Sequence, residues 1–297
     1  MKKRIAITGA TGLIGGALAR ALRASGVQVV TIGRGAVSNV RWDSRTDLRG
    51  TPAHAALEQL DGVVHLSGAP IGVRWTDARK REIWSSRVDA TALLCRALAE
   101  LRAPPPVLVS GSGIGVYGDR GDEILTEESP PGSGFLPDLA RAWEGATAVA
   151  EQAGIRVAHT RMGIVLSRAG GALSKLLLPF RLGVGGRLGT GRQWMSWIHL
   201  HDVVAAIRFL LEHEVRGPVN FVAPNPVTNA EFTKVLGQVL SRPTLLPVPG
   251  LALRVLFAGM ADEALLGSQR VAPAKLGAAG FVWSEAELPG ALIRALS

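Results

Sequence analysis

The sequence predicts an α/β chain: a doubly wound parallel sheet with a smaller C-terminal substrate lobe. Three observations predict it. The first sixteen residues, MKKRIAITGATGLIGG, read as strand, glycine turn and helix start. Strand-length apolar runs then alternate with helix-length amphipathic runs to about residue 170, the order that places helices on both faces of a parallel sheet. With 297 residues, 47% of them hydrophobic, the chain can bury one large α/β core and a lobe. The sheet domain is expected over residues 1–170, with a strand and a helix returning to it near 200–225, and the lobe over 171–297.

Ile5, Ala6 and Ile7 form the first buried strand, and Thr8 begins the turn. Gly9, Gly12 and Gly15 follow at three-residue spacing, and the apolar period from Leu13 runs as a helix to Gly26. This is the Rossmann-type context of a dinucleotide fingerprint. The first glycine permits the tight turn, the second lets backbone N–H groups approach a pyrophosphate, and the third lets helix and strand pack closely. The helix N-terminus then carries the anion. Thr11, Leu13 and Ile14 belong to the same expected cofactor-binding turn. The spacing is G-x-x-G-x-x-G rather than G-x-G-x-x-G, so a tight βα turn without a ligand is the alternative. The basic start also suggests a signal peptide, but glycines and threonines break the apolar stretch and βα reads better.

Residues 27–33 are a second strand, ending at Gly33 and Arg34. In this fold an acid at that point holds the 2′-hydroxyl of NAD, and an arginine accommodates the 2′-phosphate of NADP. With arginine and no acid here, NADP is favoured over NAD; the alternative is a surface arginine. A short helix is expected over 54–61. GVVHLSGAP (62–70) is a buried strand whose end, Ser67 and Gly68 included, faces the cofactor crevice. Residues 74–103 read as one long helix, charged in front (Arg79, Lys80, Arg81, Glu82, Arg87) and apolar behind. A further strand at 104–118 ends in small residues with Ser110 and Ser112. A helix from Pro137 to Ala153 and a strand at 155–166 complete the alternation.

In the second half, GGALSKLLLPFRLGVGG is a helix between glycines. Residues 187–202 then crowd Arg187, Arg192, Gln193, Trp194, Trp197 and His199 together, in a chain only 5% aromatic. Two readings stand: the wall of a substrate pocket with arginine for an anionic group, or a buried β-hairpin with solvent-facing arginines. His199 and His201 lack a third nearby ligand, so no metal is expected. HDVVAAIRFLLEH, PVNFVA and TNAEFTKVLGQVL follow as helix, strand and helix, and short helices close the chain. No run approaches a membrane span. The lone Cys95 lies in a helical pattern, makes no intrachain disulfide and fits a reducing cytoplasm. A net charge of +9 raises nucleic acid as a partner, but the basic residues are dispersed, with no block of five. The expected partner is a small-molecule substrate, with no nucleic acid and no membrane, and the chain a monomer or homodimer.

Long stretches carry a resemblance: TGATGLIGGAL, RKREIWSSRV, SGSGIGVYGDRGDE, the run from GGALSKLLLPF to WIHLHDVV, and GPVNFVAPNPVTNAEF. Through them the whole chain resembles the extended short-chain dehydrogenase/reductase superfamily, in an atypical branch of NAD-dependent epimerase/dehydratase proteins sometimes labelled cell-division-inhibitor-like. The resemblance implies an NADP cofactor along the sheet's C-terminal edge. Gly9, Gly12 and Gly15 would hold the pyrophosphate, Gly33 and Arg34 would meet the adenosine end, and Leu66 and Ser67 would line the crevice. Glu82 and Arg87 occupy positions this branch uses near the cofactor, and Ile164 follows the Arg-x-Gly turn after a late strand.

The chemistry departs from the superfamily's. Its usual Tyr-x-x-x-Lys pair sets a lysine one helical turn from a tyrosine, lowering the phenol pKa for proton transfer. This chain has one tyrosine, Tyr117, and Gly121 stands four residues later. Where the pair should fall stand Leu139 and Trp143. Ser112 aligns with the catalytic serine, one residue out of register with Val-Tyr-Gly, and the alternative is a hydroxyl satisfying a strand end. Glu144, the nearest ionisable residue to the lost pair, reads as an ion-pair member. Two functions follow: an NADP-dependent oxidoreductase, epimerase or dehydratase acting on a small polar, sugar-like molecule, or a cofactor-binding sensor or scaffold with little turnover.

Overall fold

The computed structural model describes residues 2–297. Its strands, in chain order, are β1 (Arg4–Thr8), β2 (Gln28–Gly33), β3 (Val40–Arg41), β4 (Gly62–His65), β5 (Val107–Gly113), β6 (Ile124–Leu125), β7 (Arg156–Met162), β8 (Ile164–Leu166), β9 (Trp194–Met195), β10 (Trp197–His199), β11 (Gly217–Phe221), β12 (Val227–Thr228) and β13 (Arg270–Val271). The helices are α1 (Leu13–Ala24), α2 (Pro52–Ala55), α3 (Asp77–Ser85), α4 (Val88–Ala99), α5 (Phe135–Gly145), α6 (Ala148–Gln152), α7 (Gly171–Arg181), α8 (Leu200–Glu212), α9 (Asn229–Leu240), α10 (Gly250–Phe257), α11 (Ala274–Ala278) and α12 (Leu288–Leu296).

Seven parallel strands form the central sheet in the order β11-β7-β5-β4-β1-β2-β3. Side-chain alternation divides its core into two layers. Ile5 and Ile7 of β1 pack with Leu18 and Leu22 of α1 and with Val203 and Ile207 of α8. Ala6, between them, faces the other layer with Leu94, Cys95 and Leu98 of α4. Strands buried on both faces read as continuous apolar runs, which is why Ile5–Ile7 and Val63–Val64 carry no polar residue. The chain winds one way from β1 and the other way from β4, so a topological switch point lies between them. A third core joins β8, β10, α7, α9 and α12 through Leu173, Trp197, Phe232 and Leu292.

Several elements differ from their expected extents. The long helix at 74–103 is two, α3 and α4, broken at Ser86 and Arg87. The Ser86 hydroxyl donates to Ile83 O and accepts from Ala69 N–H, a local alternative to continued helix, and Arg87 turns inward. The helix at 137–153 is α5 and α6, separated where the Thr147 hydroxyl donates to Glu144 O. The helix expected at 54–61 is the single turn α2. The strand at 155–166 breaks at Gly163, where a Cβ would stand 2.6 Å from Ser196 O; β7 stays in the main sheet and β8 pairs with β10. Residues 187–202 form no hairpin, since β9 pairs with β12 and β10 with β8. The two-residue strands β3, β6 and β13 are too short to show a period.

Candidate functional site

With the winding reversing between β1 and β4, the ligand crevice of a doubly wound sheet falls outside the carboxyl ends of these two strands. Gly9 has φ +69°, and a Cβ there would lie 2.9 Å from the Leu66 carbonyl. A Cβ on Gly15 would stand 2.3 Å from Gly9 O. α1 starts on Gly12 with no side-chain cap and no acid in its first turn, and the N–H groups of Leu13, Ile14 and Gly15 meet no acceptor among the described residues. A helix start with unspent donors and no competing carboxylate is a site for an anion. Thr11 and Gly12 stand exposed above it.

Beneath the turn, the Thr8 hydroxyl accepts from Leu66 N–H (3.0 Å) and Ser67 N–H (3.2 Å) and pairs with His65 Nδ1 (2.8 Å). His65 Nε2 meets the Thr91 hydroxyl, which also accepts from Trp143 Nε1. This chain of polar contacts ties β1, β4, α4 and α5 together below the crevice. Burial, and behind it the charge of Arg87, push the His65 pKa down to about 4. A histidine that the native state keeps neutral destabilises it wherever the unfolded chain protonates. Stability is therefore expected to be fully present above pH 6.5 and to fall as pH drops toward 4, by on the order of 3 kcal/mol from this group. Replacing His65 with Gln should flatten that part of a urea-denaturation pH series; an unchanged slope would exclude His65 as its source.

Arg87 is the most unusual cation at the site. It is 8% exposed, pairs with no carboxylate among the described residues, and its Nε has no partner. Nη1 donates to Ala69 O (2.9 Å), the guanidinium lies 5.2 Å over the Trp143 ring, and a Cβ on Gly68 would meet its Cζ at 2.9 Å. Burial lowers its pKa to about 10, so it remains charged at neutral pH. The Ser67 hydroxyl beside it is likewise buried and unpartnered. Orphan buried polar atoms call for a partner, and here they cluster at the end of β4. These orphans, the glycine cradle and the uncapped helix fit a phosphate-bearing, ribose-bearing ligand.

The remaining sequence-derived residues are spread around this centre. Gly33 and Arg34 close β2, the next strand over, and Arg34 is exposed with no partner among the described residues. Leu13 packs under Gly170 and Gly171, at the start of α7. Glu82 lies on the outer face of α3, half exposed and paired with Arg79. Ile164 lies past the end of β7, its N–H on Ser196 O.

Ser112, 6% exposed at the end of β5, donates to Glu144 Oε1 at 2.7 Å. Glu144 pairs with both Nε and Nη2 of Arg161 at 2.9 Å. Burial pushes the Glu144 carboxyl up, but Arg161 and the Ser112 hydroxyl outweigh it and hold it below its ordinary value. Arg161 reaches on to the Tyr117 hydroxyl (3.0 Å), which donates to Asn220 Oδ1 (2.7 Å). Tyr117 is fully buried and burial raises its pKa; it is a strut. Leu139, where the resemblance would place the superfamily's tyrosine, is 2% exposed and packs with Trp75, Ile83 and Met260.

The Trp- and Arg-rich stretch separates into parts. Trp197 is fully buried with its Nε1 on Asn225 O. Gln193 holds Leu188 O and Leu265 O, and His199 caps α8. Trp194 bonds Asp122 (2.7 Å) beneath the Arg270 guanidinium, while Arg187 and Arg192 are exposed. No group of three potential metal ligands occurs among the described residues. The sequence reading missed His65, Thr91 and Arg161. Their signal was a polar or charged residue inside an otherwise apolar strand or helix.

Known proteins supply further findings. The family model described as the NAD dependent epimerase/dehydratase family matches residues 5–223, and a model for a domain of unknown function matches residues 248–295. An epimerase family protein of Mycobacterium bovis is 43% identical over 282 residues, covering 93% of this chain and 92% of that one. The crystal structure of human epimerase family protein SDR39U1 with NADPH superposes with a TM-score of 0.90 at 33% identity, covering 98% of both chains. A nucleoside-diphosphate sugar epimerase of Corynebacterium glutamicum superposes with a TM-score of 0.81 at 36% identity, covering all of this chain and 58% of the longer one.

Proposed function

The chain belongs to the NAD dependent epimerase/dehydratase family, and from that premise we propose that it binds NADP(H) and acts as an epimerase/dehydratase-like oxidoreductase on a small polar, sugar-like substrate. The observation that carries this reading is the uncapped start of α1 at the switch point, with its cradle of Gly9, Gly12 and Gly15. The human relative of the same fold was crystallised with NADPH. Leu13, Ile14 and Gly15 would offer N–H groups to the pyrophosphate. Arg34 at the tip of β2 would face the 2′-phosphate, Leu66, Ser67 and Gly68 would line the crevice, and Arg87 would set its charge against the nucleotide. Glu82 and Ile164 complete the proposed set. When bound, the nucleotide would supply or accept a hydride.

The protein's own proton chemistry is limited. Without Tyr-x-x-x-Lys, Ser112 is the proposed polar group near the reaction, yet its proton is already committed to Glu144. That commitment, with Leu139 in an apolar cluster, favours a second reading: an NADPH-binding sensor or scaffold with little turnover.

NADPH is expected to bind at least tenfold more tightly than NADH, and Arg34→Ala to erase most of the difference, as read by calorimetric titration. Equal affinities in the native protein would remove the role given to Arg34. Ser112→Ala is expected to leave NADPH affinity within about twofold while lowering any turnover; loss of NADPH binding would make Ser112 a structural or cofactor residue instead.

A further inference from the structure

Twelve large apolar side chains stand more than half exposed among the described residues, and eight fall in two short segments of the C-terminal half. Leu178, Leu182 and Val184 lie along the end of α7 and the loop after it, exposed by 53–69%. Leu245 and Leu246 (86% and 61%) precede α10, and Leu251, Val255 and Leu256 (59–71%) lie on it. The segments adjoin. Arg242 Nε donates to Arg181 O at 2.9 Å, and a Cβ on Gly186 would overlap Leu246 O. The far ends of both flank the loop that leaves β4, through Lys175 to Gly72 O and Arg74 to Val255 O. Together the eight residues expose several hundred Å² of apolar surface, on the order of the largest apolar patch (~300–600 Å²) of a typical monomer, and such patches are often functional.

The charges around this face are predominantly basic, with Asp262, paired to Arg254, the acid beside it. Between Arg181 and Arg187, and between Arg242 and Arg254, neither segment carries a charged residue. Arg74, Lys175, Arg181, Arg187 and Arg242 surround it with no carboxylate partner among the described residues, and Arg254 alone is paired, with Asp262. A second copy of this face would set cation against cation across a two-fold axis. An anionic bilayer would meet both features, taking isolated aliphatic side chains into its acyl boundary while its headgroups neutralise the basic rim. The chain's charge of +9, which nucleotide binding uses only in part, gains a role.

We propose that the face formed by the end of α7, residues 243–249 and α10 is a docking surface for an anionic phospholipid membrane, at the mouth of the nucleotide crevice. No helix of the described residues is long and apolar enough to cross a membrane; attachment would be peripheral. The lack of such a span, on which the expectation of no membrane partner rested, does not bear on peripheral attachment.

The test is co-sedimentation of the full chain with vesicles of phosphatidylcholine alone and with about a third phosphatidylglycerol, at low and high salt. Binding to the anionic vesicles is expected to be at least tenfold stronger and to weaken with salt. Leu251→Glu/Val255→Glu, on an exposed face that folding does not need, should lose it at least tenfold while NADPH affinity stays unchanged. Arg181→Glu/Arg242→Glu should lose the preference for anionic lipid. Equal partitioning into both vesicles, or binding that survives both double variants, would overturn the proposal. So would a dimer in light scattering that Leu251→Glu/Val255→Glu dissociates, which would assign the face to a second copy. NADPH affinity is read separately, so failure here leaves the nucleotide reading standing, and failure of nucleotide binding leaves this face untouched.

Discussion

Gly15→Ala is expected to reduce NADPH affinity by at least 100-fold. The added Cβ would stand 2.3 Å from Gly9 O and 2.8 Å from the Gly9 carbonyl carbon. Both are backbone atoms of the turn itself, so no side chain can swing away. Relief requires α1 to move off β1 by about an ångström, which withdraws the N–H groups of Leu13 and Ile14 from the anion they would hold. Overpacking of this kind costs about 1–3 kcal/mol in stability, and a 100-fold loss of affinity corresponds to about 2.8 kcal/mol. Gly145→Ala is the control: nothing lies within 4 Å of the Cβ it would gain, and stability and affinity should both stay close to the native values. Thermal unfolding with and without NADPH reads both quantities. If Gly15→Ala kept native affinity, the glycine turn would be a packing device and the proposed pyrophosphate site would be wrong.

Arg161→Met is expected to be the most destabilising single change outside the turn. It removes the partner of Glu144, whose side chain is 13% exposed, and strips a donor from the Tyr117 hydroxyl. Removing one member of a buried pair costs about 3–5 kcal/mol, because the remaining charge is left without compensation. The loss should depend on pH. Arg161 helps hold the Glu144 carboxyl below its ordinary value, so the pair's contribution is present above the unfolded carboxyl's pKa and fades as pH falls through the folded one. The deficit of Arg161→Met should therefore be largest near neutral pH and shrink in acid. Arg161→Met/Glu144→Leu should recover much of it, since replacing both charges with apolar groups is far milder than orphaning one. Urea denaturation of the two variants measures this directly. A loss under about 1 kcal/mol for Arg161→Met would mean that the network is not a stabilising unit.

Much of the sheet was legible in the chain because its signals are local. Ile5–Ile7 followed by Gly9, Gly12 and Gly15 carry strand, turn and helix start within a dozen residues. The lost Tyr-x-x-x-Lys pair needed only the position of Tyr117. The breaks were harder to see. Ser86, Thr147 and Gly163 end elements through a hydroxyl or through a neighbour distant in the chain, and an apolar period runs across such points without a gap. Trp194 and Trp197 illustrate the same limit. Three residues apart, they go to different environments, one fully buried and one half-buried under Arg270, because β9 and β10 pair with different strands.

The chain by itself determined the doubly wound architecture, the glycine turn, the arginine at the tip of β2 and the loss of the superfamily's acid–base pair. Each is set by residue type at short spacing, where backbone sterics and turn chemistry act. Only the tertiary structure decided that the Ser112 proton belongs to Glu144, that Arg87 lies buried and unpaired on Trp143, and that aliphatic side chains of α7 and α10 meet on one exposed face. Those outcomes join residues that stand 32, 56 and about 75 positions apart. Burial decides what such neighbours do to one another, since desolvation and pairing energies depend on what surrounds a group rather than on what precedes it in the chain.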